Sequence, residues 1–82
     1  MKTLEWTLRA RSELHSLDRQ IAQRIYKAIK RYAATGSGDV KQLAGLTNRY
    51  RLRVGDWRLV FALEEGGILR ILRVAHRSEI YR

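Results

Sequence analysis

A stretch in the second half of the chain alternates strictly between two kinds of side chain. Between residues 49 and 54 the even positions hold Tyr50, Leu52 and Val54, and the odd positions hold Arg49, Arg51 and Arg53. Strand side chains point to opposite faces in turn, so the stretch predicts a strand with an apolar face and an arginine face. Gly55-Asp56 interrupts the alternation, which resumes from Trp57 to Phe61. A two-residue loop with Gly first suits a type II′ turn and predicts a hairpin.

The hairpin register predicts which side chains meet. Val54 lies opposite Trp57, and Arg53 lies opposite Arg58. One face then collects four arginines, namely Arg49, Arg51, Arg53 and Arg58. Like charges directly opposite each other destabilise a sheet, so this face calls for an anionic partner.

Composition supports the same interpretation. The chain has 82 residues, so we expect one domain over residues 1–82, and its net charge of +9 indicates a polyanionic partner. Nucleic acid comes first among such partners, then an acidic protein, then an anionic membrane. The absence of cysteine fits a reducing cytosol. No long apolar run or signal-peptide pattern occurs, so we expect a cytoplasmic protein without a membrane span.

The rest of the chain predicts two helices and two further strands. Residues 1–7 are interpreted as a short first strand, followed by a helix over 8–17 with Thr7 as its N-cap. Asp18 is the predicted N-cap of a second helix, whose apolar stripe runs from Ile21 to Tyr32. The polar face of that helix holds Arg24, Lys27, Lys30 and Arg31. We interpret those charges as a solvated face in preference to a second contact surface for phosphate.

The last strand, over residues 68–75, follows a turn at Gly66-Gly67. An even-numbered loop places Ile68, Leu72 and Val74 on the core face, Arg73 on the basic face and Arg70 on the core side. The predicted fold class is therefore α+β: two N-terminal helices packed on one face of a small, mainly antiparallel, four-stranded sheet. The opposite face of the sheet is then open and basic.

The side chains permit one metal-free chemistry. The sequence has no Gly-rich phosphate loop and only two histidines, His15 and His76, so we expect neither metal nor cofactor. RNA cleavage by its own 2′-OH needs a base, positive charge on the phosphate and an acid for the leaving 5′ oxygen. Arginines suit the second task. Tyr81 suits the first if nearby cations lower its pKa from about 10, and His76 is the alternative.

Three runs of sequence carry a family resemblance: 50–53, 55–61 and 72–81, the last ending in His76-Arg77 and Tyr81. In this order they resemble the RelE/ParE toxin superfamily of bacterial toxin–antitoxin modules, over essentially the whole chain. The ending, an arginine on the last strand and then His-Arg-x-x-x-Tyr, favours the RelE branch of mRNA endonucleases over the ParE branch, which poisons DNA gyrase.

The resemblance implies a microbial RNase-type fold, no metal, and cleavage of mRNA in the ribosomal A site. It also implies an antitoxin that wraps the toxin, in a complex that binds its own operator DNA through the antitoxin. The residues that match the family's catalytic positions are Arg51, Arg53, Arg58, Arg77 and Tyr81. Arg49, Arg73 and His76 are the accompanying candidates for RNA binding. Some relatives have lysine where this chain has Arg51 and Arg53, which retain their protons and so act as clamps, leaving proton transfer to Tyr81 or His76.

Two other functions remain open at this point. A ParE-like toxin would inhibit gyrase through protein contacts and would not need a basic sheet face. A nucleic-acid-binding module without catalysis would need the arginines but not Tyr81.

Overall fold

The computed structural model describes residues 1–80 as one sheet carrying two helices. The elements in chain order are β1 (Thr3–Trp6), α1 (Leu8–His15), α2 (Arg19–Thr35), β2 (Val40–Gln42), β3 (Tyr50–Val54), β4 (Trp57–Glu64) and β5 (Ile68–His76). The strand order is β1-β5-β4-β3-β2, with β1 parallel to β5 and every other pair antiparallel. The predicted α+β class is confirmed, but the sheet has five strands rather than four.

The additional strand, β2, is only three residues long. Its alternation is too short to be recognised in sequence, and it exists because β3 offers a free edge for pairing. The pairing sets Lys41 directly opposite Arg51.

Both helices begin at the N-cap residues that the sequence predicts. The Thr7 hydroxyl accepts a hydrogen bond from the Ala10 N–H at 3.1 Å, and the Asp18 carboxylate accepts one from the Gln20 N–H at 3.0 Å. These bonds satisfy N–H groups that the first turn of a helix leaves unpaired. Helix α2 ends at Gly36, whose φ of 76° suits the left-handed conformation of a C-cap.

The core lies between the helices and one face of the sheet. The apolar stripe of α2 contributes Ile25, Ile29 and Ala33, all buried. The sheet contributes buried residues from its three longest strands: Leu52, Leu59, Phe61, Leu69 and Ile71. We call the face that packs against the helices the inner face, and the opposite one the outer face.

The register of β5 differs from the prediction. Glu64 pairs with Ile68, so the loop has three residues rather than two, and Leu69 and Ile71 are the residues buried in the core. A register shift next to Val60 then adds one residue to β5, which is the effect of a β-bulge. The predicted core placement of Ile68 and Leu72 is therefore wrong.

This register determines where two further residues of β5 lie. Val74 lies in the inner core as predicted, because the bulge reverses the alternation once more. Arg70 lies on the outer face opposite Ala62, not on the core side, and its guanidinium bonds Glu64 at 2.9 Å and Glu5 at 3.0 Å. The hydrogen bond and charge of Glu64 raise the pKa of Arg70 above its ordinary value.

Candidate functional site

The hairpin brings two arginines together as predicted. Arg53 of β3 pairs with Arg58 of β4, and Val54 pairs with Trp57. Gly55 has a φ of 61° while Asp56 does not have a positive φ, which matches a type II′ turn. Because Trp57 and Val54 pack on the inner core, the two arginines point to the outer face.

A groove of about 400 Å³ on the outer face collects the cations. We call it the sheet groove, and it is lined by Lys41, Gln42, Leu43, Ala44, Arg51, Arg53 and Arg58. Lys41 is the functional candidate that sequence reasoning missed, because only its pairing with Arg51 brings it there. Four cationic side chains around one groove concentrate positive charge there, which favours an anionic ligand.

The arginines of the sheet groove differ in how firmly they are held. Arg51 Nη1 donates to the Asp39 carbonyl at 3.0 Å and to its carboxylate at 3.3 Å. Arg58 Nη1 donates to the carbonyl oxygens of Gly55 and Trp57 at 2.9 and 3.0 Å, which leaves its charge uncompensated. The exposed Arg53 guanidinium has no hydrogen bond or ion pair within residues 1–80. Arg53 and Arg58 are therefore the arginines of the sheet groove whose charges are not compensated by a carboxylate among the described residues.

Arg77 and Arg49 lie outside the sheet groove. Arg77 sits beside the β3–β4 turn, where its Nε lies 3.9 Å from the Asp56 carboxylate. Its main-chain N–H donates to the Asp56 carbonyl at 2.8 Å, so the backbone holds it at the same end of the sheet as Arg58. Arg49 donates to the Asn48 carbonyl at 3.0 Å.

Arg73 is bound within the chain. Its Nη2 lies 2.9 Å from a Glu13 carboxylate oxygen, while the other oxygen accepts from the Val74 N–H at 2.8 Å. Arg73 pairs with Val60 in the β4–β5 ladder, on the face that the sequence predicts, but its charge is compensated by Glu13 of α1.

His76 lies on the other side of the sheet from the arginine cluster. Its ring packs edge-on against Trp57, with 5.4 Å between centroids, and it shares a cleft with Glu13 and Leu17 of the helical side. His76 Nδ1 accepts from the Ser78 N–H at 3.2 Å and lies 2.9 Å from the Ser78 hydroxyl oxygen. Nδ1 is thus engaged within the chain, and His76 does not line the sheet groove. Tyr81, the other candidate, lies outside the described residues.

A small apolar cluster supports the outer face. It consists of Val60, Ala75 and Ile80, which are buried, together with Leu43 and Leu72. The segment after β5 and the connector before β3 thus cover part of the outer face, and the sheet groove is what remains open. Within residues 1–80, no set of three or more metal-ligating side chains is gathered in one place.

Several solved structures have a similar architecture. The RelB–RelE antitoxin–toxin complex from Methanococcus jannaschii contains a chain with a TM-score of 0.76 and 28% identity, covering 93% of each chain. A chain of the RelBE2 toxin–antitoxin complex from Mycobacterium tuberculosis has a TM-score of 0.74 and 28% identity, and the match covers 93% of this chain and 98% of that one. The isolated Escherichia coli RelE toxin has a TM-score of 0.78 at 19% identity, and the match covers 99% of this chain and 92% of that one. No protein of curated function matches the sequence.

The fold and these similarities define the class as the toxins of the RelE/ParE superfamily. The sequence also matches, over residues 4–81, the model of the ParE toxin of the type II toxin–antitoxin system parDE. The chain therefore belongs to the family of ParE toxins of type II toxin–antitoxin systems. The predicted superfamily is thereby confirmed. Neither helix within residues 1–80 is long and apolar enough to cross a membrane.

Proposed function

We propose that this toxin is an endoribonuclease that cuts mRNA on the ribosome and so stops translation. The observation that carries the proposal is the sheet groove, in which Arg53 and Arg58 face each other without a compensating carboxylate. An inhibitor acting through protein contacts has no need of such a pair, which costs stability. A phosphodiester placed between the two guanidiniums would relieve their repulsion.

The chemistry follows from the groups that line the sheet groove. The 2′ oxygen of the RNA attacks the adjacent phosphorus, the bond to the 5′ oxygen breaks, and the products are a 2′,3′-cyclic phosphate and a 5′-OH. Charge accumulates on the phosphate oxygens in the transition state, where Arg53 and Arg58 would stabilise it. Arg51, held by Asp39, would orient the neighbouring phosphate.

Two protons must move in this reaction. The 2′-OH proton goes to a base, and the 5′ oxygen receives a proton from an acid. Among the described side chains lining the sheet groove, Lys41 has the amine that most readily exchanges a proton. Lys41 and Tyr81 are thus the groups that we propose for proton transfer, with Arg77 as a further cation near the leaving group.

The experiment is an in vitro translation reaction with primer extension on the message. Cuts that follow the reading frame, and that disappear with Arg58→Ala, would support the proposal; Lys41→Met and Tyr81→Phe would separate the proton-transfer roles. Arg11→Ala, a change at an exposed helix residue, is the matched control for loss of one charge. An uncut message with normal translation would refute the proposal.

A second candidate function is inhibition of DNA gyrase. The observation that favours it is the matching family model, which describes the ParE toxin of parDE. A gyrase supercoiling assay distinguishes the two, because a gyrase inhibitor should block supercoiling with Arg58→Ala as well as with the unmodified chain. The type II family and the two antitoxin–toxin complexes also support a cognate antitoxin as partner.

A further inference from the structure

A second basic cleft lies on the edge of the molecule, between α2 and the β3–β4 hairpin. It has a volume of about 360 Å³ and we call it the helix cleft. Its cations are Arg24, Lys27, Arg31 and Arg53. The sequence alone left the first three on a solvated helix face; the hairpin packs beside them and turns that face into one wall of a cleft.

The charges of α2 in the helix cleft are free to meet a ligand. Arg24, Lys27 and Arg31 are all exposed, and within residues 1–80 none of them forms an ion pair. Among the described residues that line the cleft, Asp39 has the one carboxylate, and it is paired with Arg51 at 3.3 Å. Lys30, on the same helix, does not line the cleft and lies instead 5.2 Å over the Tyr26 ring.

One end of the cleft lies where Arg24 of α2 approaches the β3–β4 turn. Arg24 Nη2 lies so near the turn that a Cβ placed on Gly55 would be 3.3 Å from it. Arg24 and Arg31 are seven residues apart, or about 10 Å along the helix axis. That length matches about three nucleotides of a stacked strand.

The helix cleft and the sheet groove are connected by one residue. Arg53 lines both of them, since it stands on β3 beside the short edge strand β2. A chain of phosphates leaving the sheet groove at Arg53 would therefore meet Arg31, Lys27 and Arg24 in the helix cleft, and the one carboxylate beside this path, Asp39, is paired with Arg51. We infer that the helix cleft binds the phosphate backbone of RNA and continues the path of the strand held in the sheet groove.

The chemistry of the cleft favours RNA over an acidic peptide. Guanidinium groups match the paired oxygens of a phosphate, and three of the four cations are arginines. An acidic peptide would need an apolar anchor site as well, and the apolar residues lining the cleft are Leu52, which is only 1% exposed, and the partly buried Ala28 and Val54. This inference rests on the proposed RNA-binding role of the sheet groove but not on cleavage.

The test measures binding of two uncleavable RNAs, a 2′-O-methyl 4-mer and a 2′-O-methyl 16-mer, by fluorescence anisotropy at several salt concentrations. The cleft variant combines Arg24→Gln, Lys27→Gln and Arg31→Gln. The matched control combines Lys2→Gln, Arg11→Gln and Arg19→Gln, which removes the same charge from exposed positions outside both sites. Thermal melts by circular dichroism confirm that each variant is folded.

We expect the affinity of the cleft variant for the 16-mer to be lower by about 10-fold or more. The magnitude of the slope of log K against log salt should also fall by about 2, because three phosphate contacts are lost and each contributes about 0.7 on a single strand. The 4-mer, which spans only the sheet groove, should bind the cleft variant and the unmodified chain within about 2-fold.

Equal losses in the cleft variant and the control would show a general charge effect and overturn the inference, as would an equal loss with the 4-mer. Tighter binding of a polyglutamate 16-mer than of the RNA, lost in the cleft variant, would assign the cleft to an acidic protein segment. A chain that binds both RNAs as expected but leaves mRNA intact on ribosomes would refute the proposed cleavage while retaining the helix cleft.

Discussion

The pairing of Arg53 with Arg58 lowers the stability of the sheet while it concentrates positive charge in the sheet groove. The two guanidiniums occupy directly opposed positions on neighbouring strands. Such like-charge pairs destabilise a sheet by a few tenths of a kcal/mol up to about 1 kcal/mol. A sequence selected only for stability would place an oppositely charged or uncharged residue at one of the two positions.

The first prediction concerns this pair. Arg53→Gln should raise the free energy of unfolding by about 0.5 kcal/mol, and Arg53→Glu should raise it further, because glutamate would attract Arg58. Both variants should lose RNA cleavage. Urea unfolding measures the stability, with Arg11→Gln as the control. A lower stability of Arg53→Glu would show that the two side chains do not interact.

The second prediction concerns His76. Its Nδ1 accepts the Ser78 N–H, so the ring acts as a structural acceptor. Asparagine offers an oxygen at a similar place in the side chain. His76→Asn should therefore keep cleavage within about 3-fold in the primer-extension assay. A loss of about 100-fold or more in a folded variant would instead assign His76 a direct role in proton transfer.

At the scale of elements, α1 replaces a missing strand along part of β5. Strand β1 pairs with β5 only as far as Ile71, after which the chain turns into α1. The Thr7 N–H then donates to the Ile71 carbonyl, and Glu13 accepts from the Val74 N–H. The helix thus satisfies backbone groups that an exposed edge would offer to another chain.

The third prediction tests this arrangement. Glu13 and Arg73 are each 22% exposed, and Arg73 Nε is buried without a hydrogen-bond partner among residues 1–80, so the Arg73 guanidinium depends on its contact with Glu13. Glu13→Ala should lower the free energy of unfolding by about 2 kcal/mol, less than for a fully buried pair because of the partial exposure. Glu13→Gln should cost about 1 kcal/mol, since it keeps an acceptor for Val74.

Urea denaturation measures both changes. Glu65→Ala, at an exposed position in the β4–β5 loop, serves as the control and should stay within about 0.5 kcal/mol of the unmodified chain. Equal stability of all three variants would mean that Glu13 does not cap the edge.

At the scale of the whole molecule, the excess of positive charge affects stability as well as binding. A net charge of +9 on 82 residues repels itself in the compact state. Two basic sites that share Arg53 concentrate this repulsion around β3. An RNA or an acidic partner would relieve it on binding.

The fourth prediction follows from this repulsion. Raising NaCl from about 20 mM to about 500 mM should raise the melting temperature by about 5 °C, because salt screens exposed charges and 1 kcal/mol corresponds to about 4–8 °C in a domain of this size. The melting temperature of the variant that combines Arg24→Gln, Lys27→Gln and Arg31→Gln should rise less with salt. A melting temperature that falls with salt would show that ion pairs such as Arg73–Glu13 outweigh the repulsion.

The sequence by itself determined the features that depend on near neighbours. Alternation placed the arginines of β3 and β4 on one face, because strand geometry has a period of two. The Gly55-Asp56 turn determined the Arg53–Arg58 pairing, because a two-residue loop leaves one register. Thr7 and Asp18 determined where the helices begin, because a cap acts on its own first turn.

Only the tertiary structure decided what depends on distant segments. The bulge in β5 and the three-residue loop before it depend on how β4 and β5 fit together, and they moved Ile68 and Leu72 to the outer face. Lys41 entered the sheet groove because β2 pairs with β3, although the two strands are separated by a long connector. Arg73 was bound by Glu13 across 60 residues of sequence. Local rules apply within a few residues, whereas burial, partners and clefts depend on which surfaces meet when the whole chain packs.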